Sequence, residues 1–189
     1  TAPWIVTNST DKINYDKIDS FGYPVFIKPN SGGSSVATFF VKSKDEVKNA
    51  VEKVLEFDEY AMIEKYIPGG EYTSFVLNGK VFPTISIKSN SEFFDYSSKY
   101  AENGAIEQVV YLEDDLQKQI NKISETCWRI FYCKAYVRID MIIHDGVPYV
   151  LELNTLPGLT KTSLIPRSAA ACGLNFSDLL DKIIEYSLS

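Results

Sequence analysis

The sequence predicts an α+β fold in two lobes with largely antiparallel sheets, and three observations carry that expectation. Asn78-Gly79 joins two strand-like runs, Glu71 to Leu77 and Lys80 to Lys88, which is a strong hairpin signal. A second hairpin is marked by Asp145-Gly146 between two runs whose odd-numbered residues are apolar, and amphipathic helical patterns fall between the strands. Pro68-Gly69-Gly70 then supplies a seam, dividing a lobe over 1–70 from one over 71–189.

Each element has a local cause. Pro3 to Thr7 reads as a strand that opens the chain with no preceding Met, so the sequence reads as part of something longer. Asn8 to Thr10 supplies capping residues for a helix through about Ile18, stopped by Gly22 and Pro24. Pro24 to Pro29 and Val36 to Val41 read as strands around the small-residue loop Asn30-Ser31-Gly32-Gly33-Ser34-Ser35. Ser43 and Glu46 form a capping box for a helix to about Phe57, and Ala61 to Tyr66 is a strand. Ser89 to Glu107 is polar and irregular, with Phe93, Phe94, Tyr96 and Tyr100 as packing handles; long loops of this kind are frequently functional. A helix starting at Asp114 or Asp115 sets Leu116, Ile120, Ile123, Cys127 and Ile130 on one side. After the second hairpin come a Thr-, Pro- and Gly-rich loop at 155–162, a short helix through Ala169 to Ala171 and a terminal amphipathic helix from Phe176 to Tyr186.

Composition narrows the function. At 189 residues, 45% hydrophobic and 23% charged, the chain is an ordinary globular one. A net charge of -6 argues against a general nucleic-acid or membrane-surface binder, leaving room for a local cationic pocket. Cys127, Cys133 and Cys172 lack CxxC spacing and read as free thiols, which fits a reducing cytoplasm. No apolar run approaches membrane-spanning length and no signal peptide opens the chain. The single histidine, His144, reads as a loop residue, so a His-based triad is a poor fit.

The second hairpin concentrates chemistry. Ala135, Val137, Ile139, Met141 and Ile143 form an odd-numbered apolar face, with Arg138 and Asp140 pointing the other way. On the returning strand Tyr149, Leu151 and Leu153 are apolar and odd, while Glu152 and Asn154 are even. For both apolar faces to enter one core, an odd-length loop such as Asp145-Gly146-Val147 is required, and Asp140 then lies opposite or nearly opposite Glu152. Two facing carboxylates repel unless a cation separates them or one is protonated. Oxygen ligands suit Mg2+, which takes one or two carboxylates plus substrate phosphates. The alternative is a charged solvent face on which Arg138 pairs with a neighbour.

Elsewhere, Lys28 leaves a strand next to backbone amides freed by glycine, with Ser34 and Ser35 as further donors, and this is either a phosphate cradle or a plain hairpin connection. Glu64 and Glu71 flank a strand end, where they can accept from an adenine amino group and a ribose while the Lys65–Ile67 backbone reads the base edge; alternatively they are edge charges that discourage strand addition. Lys99-Tyr100 closes the aromatic loop, as a lid over a charged substrate or as surface residues. Asn154 to Thr160, with Ser163 and Leu164, directly follows the acidic hairpin, beside any substrate bound there.

Taken together and in this order, the segments GYPVFIKPNSGGSSV, MIEKYIPGGEYT, FFDYSSKY, VRIDM, LELNTLPGLTKTSLIP and ACGLNFSDLLDKII resemble the D-alanine–D-alanine ligase family of the ATP-grasp superfamily. They span nearly all of the chain. The resemblance implies two α+β lobes clamping ATP, with Mg2+ (or Mn2+) held by Asp140, Glu152 and Asn154. It implies that ATP phosphorylates a first D-alanine and that the amine of a second D-amino acid attacks the acyl phosphate. Lys28 and Lys99 would hold phosphates, and Glu64, Lys65, Tyr66, Ile67 and Glu71 the adenosine. Arg138 and the Gly158 amide would stabilise the oxyanion of the tetrahedral intermediate. Arg138 is then a donor aimed at the reacting carbonyl and not a salt-bridge partner of Asp140. Ser34 and Tyr100 would position the first D-alanine, and Ser163 and Leu164 would contact the second substrate.

Two residues depart from the family pattern: Gly32 and Ser97 each stand where a glutamate is common. The family's N-terminal domain, which supplies an acidic residue to the first amino-acid site and much of a homodimer interface, has no counterpart here; the stretch by itself is expected to fold but to ligate poorly. A D-alanine–D-serine ligase of the vancomycin-resistance type remains an alternative. A lactate-selective relative is disfavoured, because no histidine lies between Lys99 and Gln108. A non-catalytic nucleotide-binding module is the third reading, and the retention of Arg138, both carboxylates and Asn154 speaks against it.

Overall fold

In the computed structural model, which describes residues 1–33, 35–89 and 105–189, alternating burial along four strands builds the first sheet. These are β1 (Trp4–Thr7), β2 (Val25–Pro29), β3 (Phe39–Val41) and β4 (Ala61–Lys65), antiparallel in the order β1-β4-β2-β3. Val25, Ile27, Ala61 and Ile63 point to one face and are fully buried against Ile18 and Phe21 of α1 (Tyr15–Phe21) and Val47, Val51 and Val54 of α2 (Lys44–Leu55). Each such Val or Ile stabilises the unit by about 1.5–3 kcal/mol. The other face carries Phe26, Lys28, Met62 and Glu64.

The second sheet has the order β10-β9-β5-β7-β8, with β6 paired to β5. Its strands are β5 (Gly70–Leu77), β6 (Lys80–Val81), β7 (Ile85–Ser89), β8 (Ala105–Val109), β9 (Tyr136–His144) and β10 (Val147–Asn154). Helix α3 (Asp114–Ile130) covers one face, Ile120 and Cys127 packing with Val76, Val137, Ile139 and Met141. On the other face α4 (Leu164–Ala170) and α5 (Phe176–Leu188) bring Ile165, Ala169, Leu179 and Ile183 to Phe75, Leu77 and Phe82. The two sheets belong to separate compact units, one within Thr1–Ile67 and the other within Pro68–Lys88 and Ala105–Ser189. Gly69 is required where it stands: a Cβ there would run into the carbonyl oxygen of Ile143 on β9.

Several expected elements take a different form. The helix expected from Asn8–Thr10 through Ile18 splits into a 3-10 turn at Thr10–Lys12 and α1, because the Asn14 side chain accepts from Lys17 N (3.0 Å) and caps a fresh helix. The strand expected over Val36–Val41 shortens to β3, since Ser35 and Ala37 adopt positive φ (57° and 52°) and turn the chain. Glu46 accepts from Lys42 N (3.0 Å) and not from Ser43, so the capping box closes one residue early. Ile130 is exposed at the end of α3, and His144 ends a strand and does not lie in a loop.

Both hairpins use the same device. Asn78-Gly79 and Asp145-Gly146 have positive φ at both residues, the two-residue turn that matches strand twist. Each hairpin then takes in one extra residue on its returning side. Phe82 to Thr84 oppose only Ser74 and Phe75, and Leu151 is left over between the pairs Val150↔Met141 and Glu152↔Asp140. The expected three-residue loop at 145–147 is therefore corrected: the turn has two residues, and the bulge at Leu151 supplies the odd one. Its consequence is that Val150, not Tyr149 or Leu151, packs in the core near the turn, while Leu153 does so beyond it.

Candidate active site

In the second unit, register sets polar side chains in two rows across three strands. Thr73, Asp140 and Glu152 are successive cross-strand partners on β5, β9 and β10, and Phe75, Arg138 and Asn154 form the next row. Asp140 is nearly buried, its side chain 8% exposed, and Arg138 is 20% exposed. Being two residues apart on one strand face, they meet directly: Nη2 of Arg138 donates to Oδ2 of Asp140 (2.7 Å) and Nε to Oδ1 (2.9 Å). The expectation that Arg138 stands apart from Asp140 is thus corrected.

Burial works against the Arg138 charge, but the Asp140 hydrogen bonds and the charges of Asp140, Glu152 and Glu71 outweigh it and hold the guanidinium above its ordinary pKa. The Arg138 guanidinium thus sits in the field of Asp140, Glu152 and Glu71, with Asp140 as its direct partner. Oxygen donors are the ligands a hard divalent cation takes, and Asp140, Glu152 and Asn154 are the side chains in these rows that could hold Mg2+ or Mn2+. Among the described residues no group of three or more His, Cys, Asp or Glu is placed to hold a metal ion. Oδ1 of Asn154 also accepts from Leu156 N (3.2 Å), which turns the chain into the following loop. Gly158 is exposed in that loop. Ser163 closes it: its Oγ accepts from Thr160 N (3.0 Å) and lies 2.8 Å from Thr160 Oγ1, with Leu164 opening α4 behind it.

In the first unit, Lys28 on β2 and Glu64 on β4 lie diagonally on the face opposite the core. Lys28 Nζ donates to Glu64 Oε2 at 2.7 Å, the carboxylate only 8% exposed. Beside them Phe26 and Phe40, tilted to one another, both pack edge to face with Tyr66, ring centroids 5.2–5.8 Å apart. This aromatic trio was not anticipated; its sequence signal is the apolar run Val25–Ile27, apolar on both faces of a strand. Two of the amides expected to read a base edge already donate within the sheet, Lys65 N to Pro3 O (2.9 Å) and Tyr66 N to Pro24 O (3.4 Å). Ile67 ends this unit, and Glu71 belongs to the other. The glycine loop is tied at its base by Asp58, whose carboxylate accepts from Ser31 N (2.6 Å) and Tyr60 N (3.2 Å). Gly32 sits over the Pro29 ring so closely that a Cβ would meet it at 2.7 Å. Ser34, Ser97, Lys99 and Tyr100 lie outside the described residues.

Residues 3–185 match the family described as D-ala D-ala ligase C-terminus. The chain is 52% identical over its whole length to the D-alanine--D-alanine ligase of Clostridium botulinum, of which it spans 63%. The crystal structure of D-alanine--D-alanine ligase from Bacillus anthracis complexed with ATP superposes with a TM-score of 0.86 at 43% identity, covering all of this chain and 60% of that one. The VanG D-Ala:D-Ser ligase from Enterococcus faecalis superposes at 0.84 with 28% identity, covering 98% of this chain and 56% of that one. This chain belongs to the D-alanine–D-alanine ligase C-terminal family and has the ATP-grasp fold.

Proposed function

We propose that this chain is the ATP- and metal-binding part of a cytoplasmic ligase that joins two D-alanines for peptidoglycan precursors. The observation that carries the reading is the pairing of Asp140 with Glu152 in register on one sheet face, beside Arg138. The ATP bound by the related ligase supports the nucleotide. In the first lobe (1–70), Lys28 holds a phosphate and Glu64 to Ile67 the adenosine. In the second (71–189), Glu71 takes the ribose, and Asp140, Glu152 and Asn154 would hold Mg2+ or Mn2+, which when bound would supply positive charge to offset that of the phosphates. Lys99 adds a phosphate contact, and Ser34 and Tyr100 position the first D-alanine.

The first D-alanine carboxylate attacks the γ-phosphorus of ATP, releasing ADP. The free amine of the second D-alanine, set by Ser163 and Leu164, attacks the acyl carbon. Arg138 and the Gly158 amide donate to the resulting oxyanion, and the carbon–oxygen bond to phosphate breaks to give the dipeptide, inorganic phosphate and a proton. Arg138 keeps three N–H donors beyond the two it gives Asp140, so it can donate to that oxygen with the fork in place. The native protein is a homodimer of this ligase, with no nucleic-acid or membrane partner.

The test is phosphate release and dipeptide formation by the protein at its full native length, with D-alanine alone and with D-alanine plus D-serine. D-Ala-D-Ala as the main product is expected. A dominant D-Ala-D-Ser product would favour the second reading, which the likeness to the D-Ala:D-Ser ligase keeps in view. Nucleotide binding without either dipeptide would favour a non-catalytic module.

A further inference from the structure

Thr73 is 3% exposed on the central strand β5, at the register position facing Asp140. A buried hydroxyl costs free energy unless it is bonded, and valine fills the same space without that cost. The Thr73 hydroxyl is 2.7 Å from Asp140 Oδ1 and 3.3 Å from the Ile139 carbonyl, so its single proton goes to the carboxylate. Oδ1 therefore has both its acceptor directions filled, by Thr73 and by Nε of Arg138. Oδ2 takes Nη2 of Arg138 and only a long contact from Nε, 3.2 Å. Thr73 approaches from the β5 side of Asp140, while Glu152 stands on its β10 side.

We infer that Thr73 is a positioning residue, holding Asp140 by Oδ1 so that Oδ2 is the oxygen presented to the divalent cation. The inference rests on the ligase reading of Asp140 and adds to it a role for a residue that touches neither cation nor substrate. Partners that orient a metal ligand in this way typically change metal affinity by about 10- to 100-fold when removed.

The experiment is Mn2+ titration in the presence of ADP, followed by electron paramagnetic resonance, on the protein at its full native length. Thr73→Val is expected to weaken Mn2+ by at least about tenfold, and Thr73→Ser to restore most of the affinity because it keeps the donor. A Thr73→Val protein with unchanged Mn2+ affinity overturns the inference, as does a Thr73→Ser protein as weak as Thr73→Val. Should Thr73→Val fail to fold, Thr73→Cys, of similar size but a weak donor, takes its place with the same expected loss. Asp140→Asn separates the two levels. If it binds Mn2+ like the unmodified protein, or if the unmodified protein binds none, both the cation role of Asp140 and the inference fail. If Asp140→Asn loses Mn2+ and Thr73→Val does not, the inference alone fails.

Discussion

The two units each set a basic side chain on a carboxylate that is 8% exposed, at the same 2.7 Å, yet the two pairs are built differently. Lys28 reaches Glu64 from a neighbouring strand, with one contact and a flexible stem 31% exposed to water. Arg138 grips Asp140 from two residues away on the same strand, by a fork of nitrogens, and Thr73 adds a third donor from behind. A compact ammonium can be drawn off its partner by an incoming anion at the cost of one bond; a planar fork gives up its geometry only in part. The first pair is suited to release, the second to holding a carboxylate still. The difference teaches that similar distance and burial do not make two ion pairs equivalent.

Removing the carboxylate is the strongest way to break that comparison. Asp140→Ala leaves the Arg138 guanidinium largely buried without its partner, and urea unfolding should show a loss of about 3–5 kcal/mol. Asp140→Asn keeps the shape, and phosphate release should fall by about a hundredfold or more through weakened metal binding, with the fold intact by circular dichroism. Unchanged turnover would remove Asp140 from the site. Next in size is Arg138→Lys, which keeps the charge and loses the fork; about 1–3 kcal/mol of stability should go with it. Were it as stable as the parent, the fork would be no tighter than the lysine pair of the first unit.

How much of this was legible in the sequence follows from the same contrast. Arg138 and Asp140 are neighbours on one face by parity alone, and the Glu152 pairing is set by apolar faces that share a core; both were readable. What parity missed was how the register comes about. A two-residue turn at Asp145-Gly146 puts Glu152 out of step, and the bulge at Leu151 restores it, a cancellation invisible to alternation because a bulge residue carries no distinguishing side chain. It was the family resemblance, not parity, that set Arg138 apart from Asp140, when a side chain two residues along a strand is within reach of its neighbour. The Lys28–Glu64 pair and the Thr73 hydroxyl were out of reach for another reason. Each depends on which strands are adjacent, 36 and 67 residues apart in the chain, and no local pattern encodes that.

The first unit's pair sharpens the comparison from its weaker side. Glu64→Gln keeps a hydrogen-bond acceptor for Lys28, which can turn to solvent, so the expected loss in urea unfolding is about 1 kcal/mol. ATP affinity should fall more clearly than stability does. A stability loss as large as that of Asp140→Ala would mean that the lysine pair is as fixed as the arginine one, and its proposed release toward phosphate would have to be abandoned.

The smallest effect concerns the base of the glycine loop, where a carboxylate holds a backbone amide instead of a cation. Asp58 accepts from Ser31 N and Tyr60 N, and these bonds, Ser31 first, hold its carboxyl below the ordinary aspartate value of about 3.9. A carboxyl with a lowered folded pKa contributes its stabilisation in full above the unfolded value and loses it as pH falls through the folded one. The Ser31 tether should therefore be intact at neutral pH and through the mildly acidic range, and should release only below the usual carboxylate range. Following the Ser31 amide by nuclear magnetic resonance during acid titration should give a midpoint below about 3.9, and Asp58→Asn should abolish that titration. A midpoint at or above the ordinary value would mean that the tether does not favour the charged form, and Asp58 would then not hold the loop that follows Lys28.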